Sequence, residues 1–103
     1  MLQGTLDLLV LRLLRPGKLN GWDIMQRMQL VSSEVLSVTP GALYPALHRL
    51  EEQGLISAEW GVSENNRRAK FYSLTAAGRK RLDTERDTWR RFSLAVESIL
   101  KDA

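Results

Sequence analysis

The chain has 103 residues, of which 44% are hydrophobic and 26% charged. This length and balance predict one folded domain and exclude wholesale disorder. The chain contains no cysteine, which excludes a disulfide scaffold and a thiolate zinc site and fits a reducing cytosol. Fifteen basic residues against twelve acidic ones leave a net charge of +3. That charge predicts a basic patch and permits, without requiring, nucleic acid as a partner.

Membrane and export signals are not visible in the sequence. No apolar run reaches the ~20 residues that span a bilayer, because Arg12 interrupts the longest one, residues 8–14. Residues 1–15 lack the basic leader and the small-residue cleavage site of a signal peptide. We therefore expect a cytoplasmic protein without a membrane partner.

Two helices are predicted in the first third of the chain. Five apolar side chains between residues 6 and 14 share one stripe, which predicts a helix over residues 5–14 that Pro16 and Gly17 end. The second helix starts after Asn20, a suitable N-cap, and runs to residue 31. Residues 32–38 form a polar, β-branched bridge in which we predict a short strand at residues 34–36.

The third helix has the best-marked ends. Thr39 is an N-cap, and Pro40 occupies the first helical position, where its missing N–H costs nothing. Three leucines recur in this helix at i, i+4 and i+7, and this spacing predicts that they face a core. They are Leu43, Leu47 and Leu50. Gly54 fits the left-handed position that ends a helix, with Leu55 then covering Leu50.

A β-hairpin follows, because residues 55–60 and 70–74 alternate between apolar and polar side chains. Ile56, Ala58 and Trp60 share one face. The link of residues 61–69 is longer than the usual ~2–5 residues, so we expect it to protrude. Helix, helix, bridge, helix and hairpin is the order of a helix-turn-helix with a wing. The predicted fold class is mainly α with a small β-hairpin: a winged helix-turn-helix over residues 1–74 and a long C-terminal dimerisation helix over residues 75–103.

The final helix carries an apolar stripe with a repeat of seven residues. Leu82, Trp89, Val96 and Ala103 recur at that spacing, and Phe92 and Ile99 fill the alternate position. Such a stripe resembles a coiled coil and predicts a partner helix. The candidate dimerisation residues are Leu6, Leu82, Trp89, Phe92, Val96 and Ile99. Trp89 either packs in that interface, the favoured reading, or stacks on a flat apolar effector between subunits.

Two surfaces are candidates for contact with DNA. The exposed face of the third helix presents small and polar side chains that allow close approach to a duplex: Thr39, Gly41, Ala42, Tyr44, Pro45, His48 and Arg49. The hairpin tip is basic and suits a minor groove or flanking phosphates, with Asn66, Arg67, Arg68 and Lys70 as candidates. The alternatives are an ordinary surface helix and a solvated turn.

Catalysis and metal binding have little support. His48 is the only histidine, no serine has a base and an orienting group in a recognisable pattern, and no glycine-rich phosphate loop occurs. We expect no enzyme activity, no cofactor and no metal. Two alternatives from other classes are a winged-helix module that binds proteins without steep salt dependence, and a ligand carrier built around Trp89.

Six segments together resemble the PadR family of bacterial transcriptional regulators, in its compact branch with a short C-terminal helix. They are residues 4–6, 20–24, 41–51, 54–56, 67–75 and 77–78. Two positions depart from the family pattern, since Asn20 stands where the family often has His, and Trp22 where it often has Tyr. Asn20 still caps the helix, so the predicted fold is unaffected.

The resemblance implies a repressor that acts as a cytoplasmic, nucleoid-associated homodimer on a palindromic operator. It implies dimerisation through the terminal helix with help from the first. Tyr44 falls in the family's recognition-helix pattern, and Arg68, Lys70 and Tyr72 fall in its wing pattern. Some members bind planar hydrophobic drugs through a tryptophan of the terminal helix, which Trp89 matches. The expected partners are double-stranded DNA, a second copy of the chain and a planar hydrophobic effector; that effector or a stress signal would release the operator.

Overall fold

The computed structural model describes residues 1–102, which form four helices and a small antiparallel sheet. The helices are α1 (Gln3–Leu13), α2 (Gly21–Val31), α3 (Pro40–Glu52) and α4 (Ala76–Asp102), and the strands are β1 (Leu19–Asn20), β2 (Ile56–Val62) and β3 (Arg68–Leu74). The strand order is β1-β3-β2. The predicted fold class is confirmed. The predicted end of the last helix, Ala103, lies outside the described residues.

One core joins α1, α2 and α3 to the base of the sheet and the start of α4. The leucines predicted to face inward from α3 are all buried there, as are Ile56 of β2 and Leu82 of α4. Burying a side chain of this size contributes roughly 1.5–3 kcal/mol relative to leaving it in water. This apolar cluster therefore fixes α3 and the base of the hairpin relative to each other.

The ends of α3 have the predicted geometry. Thr39 Oγ1 accepts a hydrogen bond from the Ala42 N–H at 3.3 Å. At the other end Gly54 has φ +73°, and the Leu55 N–H donates to the Leu50 carbonyl at 3.0 Å. This pairing is the Schellman arrangement expected from a glycine at that position.

The predicted strand at residues 34–36 is wrong. Ser33 and Glu34 have φ of 53° and 68°, and such left-handed residues close a turn and cannot continue a strand. The Ser32 hydroxyl holds this turn by accepting from the Leu36 N–H at 2.9 Å. The third strand is instead β1, where Asn20 pairs with Phe71. Two residues are too few to produce a readable alternation.

The wing is longer in its strands and shorter at its tip than predicted. Strand β2 continues to Val62 and β3 begins at Arg68, so residues 63–67 alone form the turn. The Ser63 N–H donates to the Arg67 carbonyl at 2.8 Å and thereby closes it. Asn66 has φ +59°, a conformation that asparagine tolerates. Arg68 is consequently a strand residue with a defined side-chain direction.

The junction between β3 and α4 is tied to the end of α3. Thr75 Oγ1 accepts from the Gly78 N–H at 3.0 Å and donates to the Gly54 carbonyl at 2.7 Å. Gly78 is buried against the backbone of Leu55, and a Cβ atom at this position would collide with the Leu55 carbonyl oxygen. A glycine is therefore required for α4 to leave the sheet in this direction.

Candidate nucleic-acid interface

An open groove of about 790 Å³ lies between the start of α2, α3 and one face of the wing. Its lining is aromatic and basic. The residues that line it are Asn20, Gly21, Trp22, Tyr44, Trp60, Ser63, Asn65, Arg67, Arg68, Ala69, Lys70 and Tyr72. Such a combination of cations and exposed rings beside a helix is typical of surfaces that bind nucleic acid.

The pairing of β2 with β3 determines which wing residues face this groove. Ala58 lies opposite Tyr72, Trp60 opposite Lys70, and Val62 opposite Arg68. Paired residues share one face of a sheet, and that face repeats every second residue. At the base of the wing this face covers the core, because Tyr72 is buried. Farther out it leaves the core and becomes the wall of the groove, which we call the inner face.

Most of the predicted contact residues of α3 are exposed. Gly41, Ala42, Pro45 and His48 lie on its open side, and Thr39 is exposed while it caps the helix. Tyr44 stands at the edge of the groove with its ring against Gly21, where a Cβ atom would overlap the phenol. Gly21 therefore allows the Tyr44 ring to pack closely against the start of α2.

Arg49 does not lie on the exposed face predicted for it. Its Nη2 donates to Asp7 Oδ1 of α1 at 3.0 Å, and its side chain is only 32% exposed. Its Nε is buried and has no hydrogen-bond partner within residues 1–102. Position 49 lies one turn after the buried Ala46, so its side chain leaves α3 at the border of the core, where it reaches α1. His48, in contrast, is exposed, with its Nε2 2.9 Å from Glu52 Oε1.

The basic residues of the wing fall into two groups. Lys70 Nζ lies 3.4 Å from Glu51 Oε1 of α3, so its charge is partly neutralised within the protomer. Arg67 and Arg68 form no ion pair in the part of the chain that the structure describes. The free positive charge of the wing therefore comes from the two arginines.

Tyr72 lies below Lys70 on the same face, at the bottom of the groove. Burial raises the pKa of the Tyr72 phenol above its ordinary value of 10.0, and the nearby Tyr44 and Glu51 raise it further. The phenol is consequently neutral at physiological pH. Tyr72 acts there as a neutral, packed ring under the ammonium group of Lys70, whose Nζ is 5.8 Å from the ring centroid.

Two exposed aromatic residues of the groove were not among the predicted contacts. Trp22 and Trp60 are 63% and 60% exposed, although the alternation of β2 places Trp60 on the same face as the buried Ile56. The alternation correctly identified the face but carries no information on where the core ends. For Trp22, the sequence feature that could have indicated a surface position is its place at the start of α2, next to Gly21 and just after the N-cap.

Comparison with known proteins identifies the family. The profile of the transcriptional regulator PadR-like family matches residues 10–84, which is most of the chain. The chain belongs to the PadR-like family of transcriptional regulators. This confirms the resemblance seen in the sequence, and the matched residues include α2, α3 and the whole wing.

Individual PadR-like proteins are similar in sequence and in structure. The negative transcriptional regulator PadR of Bacillus subtilis is 30% identical over 73 residues, which cover 71% of this chain and 40% of that protein. A PadR-like transcription factor of Bacteroides fragilis is 31% identical, with a TM-score of 0.77 and coverage of 94% and 91% of the two chains. A transcriptional regulator from Clostridium thermocellum is 26% identical, with a TM-score of 0.84 and coverage of 92% of each chain.

A second concavity, of about 700 Å³, lies between α1 and α4 of this PadR-like chain. Its floor is apolar, with Leu8, Leu9, Leu36 and Trp89, and three arginines surround it, namely Arg12, Arg86 and Arg90. Trp89 is 48% exposed, and its ring centroid is 5.9 Å from that of Phe92. The predicted effector residue therefore borders a real cleft, which we call the α1–α4 cleft.

The predicted dimerisation residues divide into two sets. Leu6 and Leu82 are buried in the core of the protomer, at 5% and 1% exposure, so neither is available as an open surface. The exposed part of the predicted set lies farther along α4 and consists of Trp89, Phe92, Val96 and Ile99, which we call the α4 stripe. Contiguous exposed apolar side chains on one helix mark a surface that other molecules cover.

Two other kinds of site are absent from residues 1–102. None of the helices combines the length and the apolar character needed to cross a membrane. The acidic and histidine side chains of the same residues do not gather in groups of three that suit a metal ion.

Proposed function

We propose that this protein binds double-stranded DNA as a homodimer and represses transcription from a palindromic operator in the bacterial cytoplasm. The observation that carries this proposal is the groove, in which Tyr44 of α3 lies beside Arg67 and Arg68, two arginines without an ion-pair partner among residues 1–102. Small side chains on α3 allow the helix to approach a duplex closely, and unpaired arginines neutralise phosphates.

In the proposed complex, α3 enters the major groove and the wing lies on the neighbouring backbone or minor groove. Ala42 and Pro45 offer apolar contact to a thymine methyl group, and His48 offers a hydrogen bond to a base edge. The N–H groups at the start of α3 point toward phosphate. Because this face carries few hydrogen-bonding side chains, the shape of the DNA contributes strongly to recognition.

A second copy of the chain is the proposed occupant of the α4 stripe. Two-fold pairing through this stripe presents two α3 helices to successive turns of one duplex, with half-sites ~34 Å apart. Repression is the outcome that the name of the Bacillus subtilis relative, a negative regulator, supports.

The α1–α4 cleft supports a regulatory input to the same dimer. A planar hydrophobic molecule beside Trp89 would contact α4 near the proposed subunit interface. If it prefers one separation of the two α3 helices, its binding shifts the dimer toward that state and lowers operator affinity. We therefore propose release by such an effector.

The test is the salt dependence of binding to a fluorescent duplex that carries the DNA upstream of the protein's own gene. Binding to phosphates makes the logarithm of affinity fall with the logarithm of salt, by ~0.9 for each phosphate contact. Replacing both Arg67 and Arg68 with Ala should flatten this slope by roughly 1.8.

The matched control removes the same charge elsewhere, with Arg79→Ala and Lys80→Ala on α4, since neither residue lines the groove. In this control variant, the salt-dependence slope should change by less than about half of the change seen for the Arg67 and Arg68 variant. Equal changes in both variants would mean that the wing has no special role. Absence of salt-dependent binding in the unmodified protein would favour a protein-interaction module instead.

A further inference from the structure

Trp60 is an aromatic residue on the inner face of the wing that the protomer does not cover. The buried residues Ile56 and Tyr72 lie on this same face, closer to the core, while Trp60 is 60% exposed. A large ring left open beyond the edge of the core gains only part of the stability that full burial would give. Its neighbour on the adjacent strand, Arg68, indicates a different role.

The guanidinium carbon of Arg68 lies 4.4 Å from the centroid of the Trp60 ring. Arg68 is the diagonal neighbour of Trp60, because Trp60 pairs with Lys70 and Arg68 lies two residues before it on β3. A cation attracted to the face of an indole is held in place. A guanidinium group held in this way keeps donors at its edge for another acceptor, since it carries five N–H groups.

Lys70 forms a second cation–aromatic pair on the same face, with a different outcome. Its ammonium group is over Tyr72, and it also lies beside the carboxylate of Glu51. The contact between Lys70 and Glu51 ties the wing to α3 and partly neutralises the charge of the lysine. Arg68 has no carboxylate within ion-pairing distance among residues 1–102. The Lys70–Tyr72 pair therefore holds the wing against α3, whereas the Arg68–Trp60 pair leaves a positive charge available.

We propose that Trp60 is a positioning residue for DNA binding: it holds the guanidinium of Arg68 at the mouth of the groove, ready to contact a phosphate. This inference rests on the proposed function. An arginine that is already ordered loses less conformational freedom when it binds, so affinity rises without an additional contact. Arg67 has no such ring under its guanidinium among residues 1–102, and it contributes less than Arg68.

The first test is a double-mutant cycle on the full chain, measured with a mixed-sequence duplex at low salt and with the upstream duplex. Trp60→Leu should weaken binding about three- to ten-fold, and Trp60→Phe, which keeps a ring, should stay within about two-fold of the unmodified protein. In an Arg68→Ala background, Trp60→Leu should have no further effect. Melting curves of each variant confirm that the fold is retained, and if Trp60→Leu does not fold, Trp60→Thr, which also removes the ring and suits a strand, takes its place.

A second test observes the stacking without DNA, by fluorine NMR of protein labelled with 5-fluorotryptophan. The signals of Trp22, Trp60 and Trp89 are assigned by single substitution to Phe. Arg68→Ala should shift the Trp60 signal and leave that of Trp89 in place.

The two proposals fail in different ways. If the unmodified protein binds neither duplex, the proposed function is refuted. If it binds but Trp60→Leu costs nothing, or costs the same with and without Arg68, the positioning role is refuted while the proposed function stands. A Trp60 signal that does not respond to Arg68→Ala also refutes the positioning role.

Discussion

Arg49 of α3 donates a hydrogen bond from Nη2 to Asp7 Oδ1 of α1 across 3.0 Å. Neither side chain is fully exposed, at 32% and 23% for Arg49 and Asp7. The pair thus links the helix that borders the groove to the helix that borders the α1–α4 cleft. It fixes the position of α3 on α1 through a charge-assisted bond.

Asp7→Ala should therefore destabilise the protein by about 1–2 kcal/mol, because the half-buried guanidinium of Arg49 loses its charged partner. The measurement is urea unfolding at one fixed protein concentration, since any self-association adds to apparent stability. The control is Glu59→Ala, which breaks the Lys18–Glu59 pair of similar length, 3.1 Å, between side chains 58% and 62% exposed. That exposed pair should contribute no more than about 0.5 kcal/mol. Equal losses in both variants would show that the Asp7 contact has no special weight.

Gly78→Ala tests the close approach of α4 to the turn after α3. The added methyl group meets the Leu55 carbonyl and lies 2.7 Å from Leu74 Cδ1. We expect a loss of about 1–3 kcal/mol, as for other overpacked sites. Gly4→Ala is the matched control, because Gly4 lies in α1 with open space around it, and there the change should stabilise by about 0.5–1 kcal/mol. Unfolding curves showing both substitutions with the same sign would contradict the packing described.

The buried phenol of Tyr72 should make the folded protein less stable in alkaline solution. Because its pKa is raised in the folded protein by burial and by Tyr44 and Glu51, the unfolded chain ionises first as the pH passes 10.0. The stability that the neutral Tyr72 phenol contributes is fully present below that pH and is lost as the pH rises through the folded-state pKa. The free energy of unfolding should thus fall faster above this pH in the unmodified protein than in Tyr72→Phe. Parallel profiles for the two proteins would argue against a buried phenol.

Val96→Asp tests the α4 stripe. A carboxylate in the middle of an apolar interface is costly to bury, so this variant should sediment as a monomer and bind the operator weakly. The unmodified protein should sediment as a dimer. Ser98→Asp adds the same charge to an exposed position outside the stripe and should remain dimeric. A Val96→Asp variant that dimerises fully would remove the stripe from the proposed interface.

The four helices and the two long strands of this protein are readable from its sequence. The cap at Thr39, the proline at position 40, and the Gly54-Leu55 ending determine α3 almost alone, because each acts on atoms within a few residues. The alternation in β2 and β3 likewise determined which wing residues share a face. Family membership followed from the same local patterns.

The tertiary structure decided which of these side chains are free. Arg49 and Lys70 read as available cations in the sequence, yet carboxylates from distant positions, Asp7 and Glu51, partner them. The sequence places Trp60 on the same strand face as Ile56, yet the core ends before it. Charge pairing and burial depend on neighbours that the chain brings together only on folding, and a linear pattern contains no distances between them.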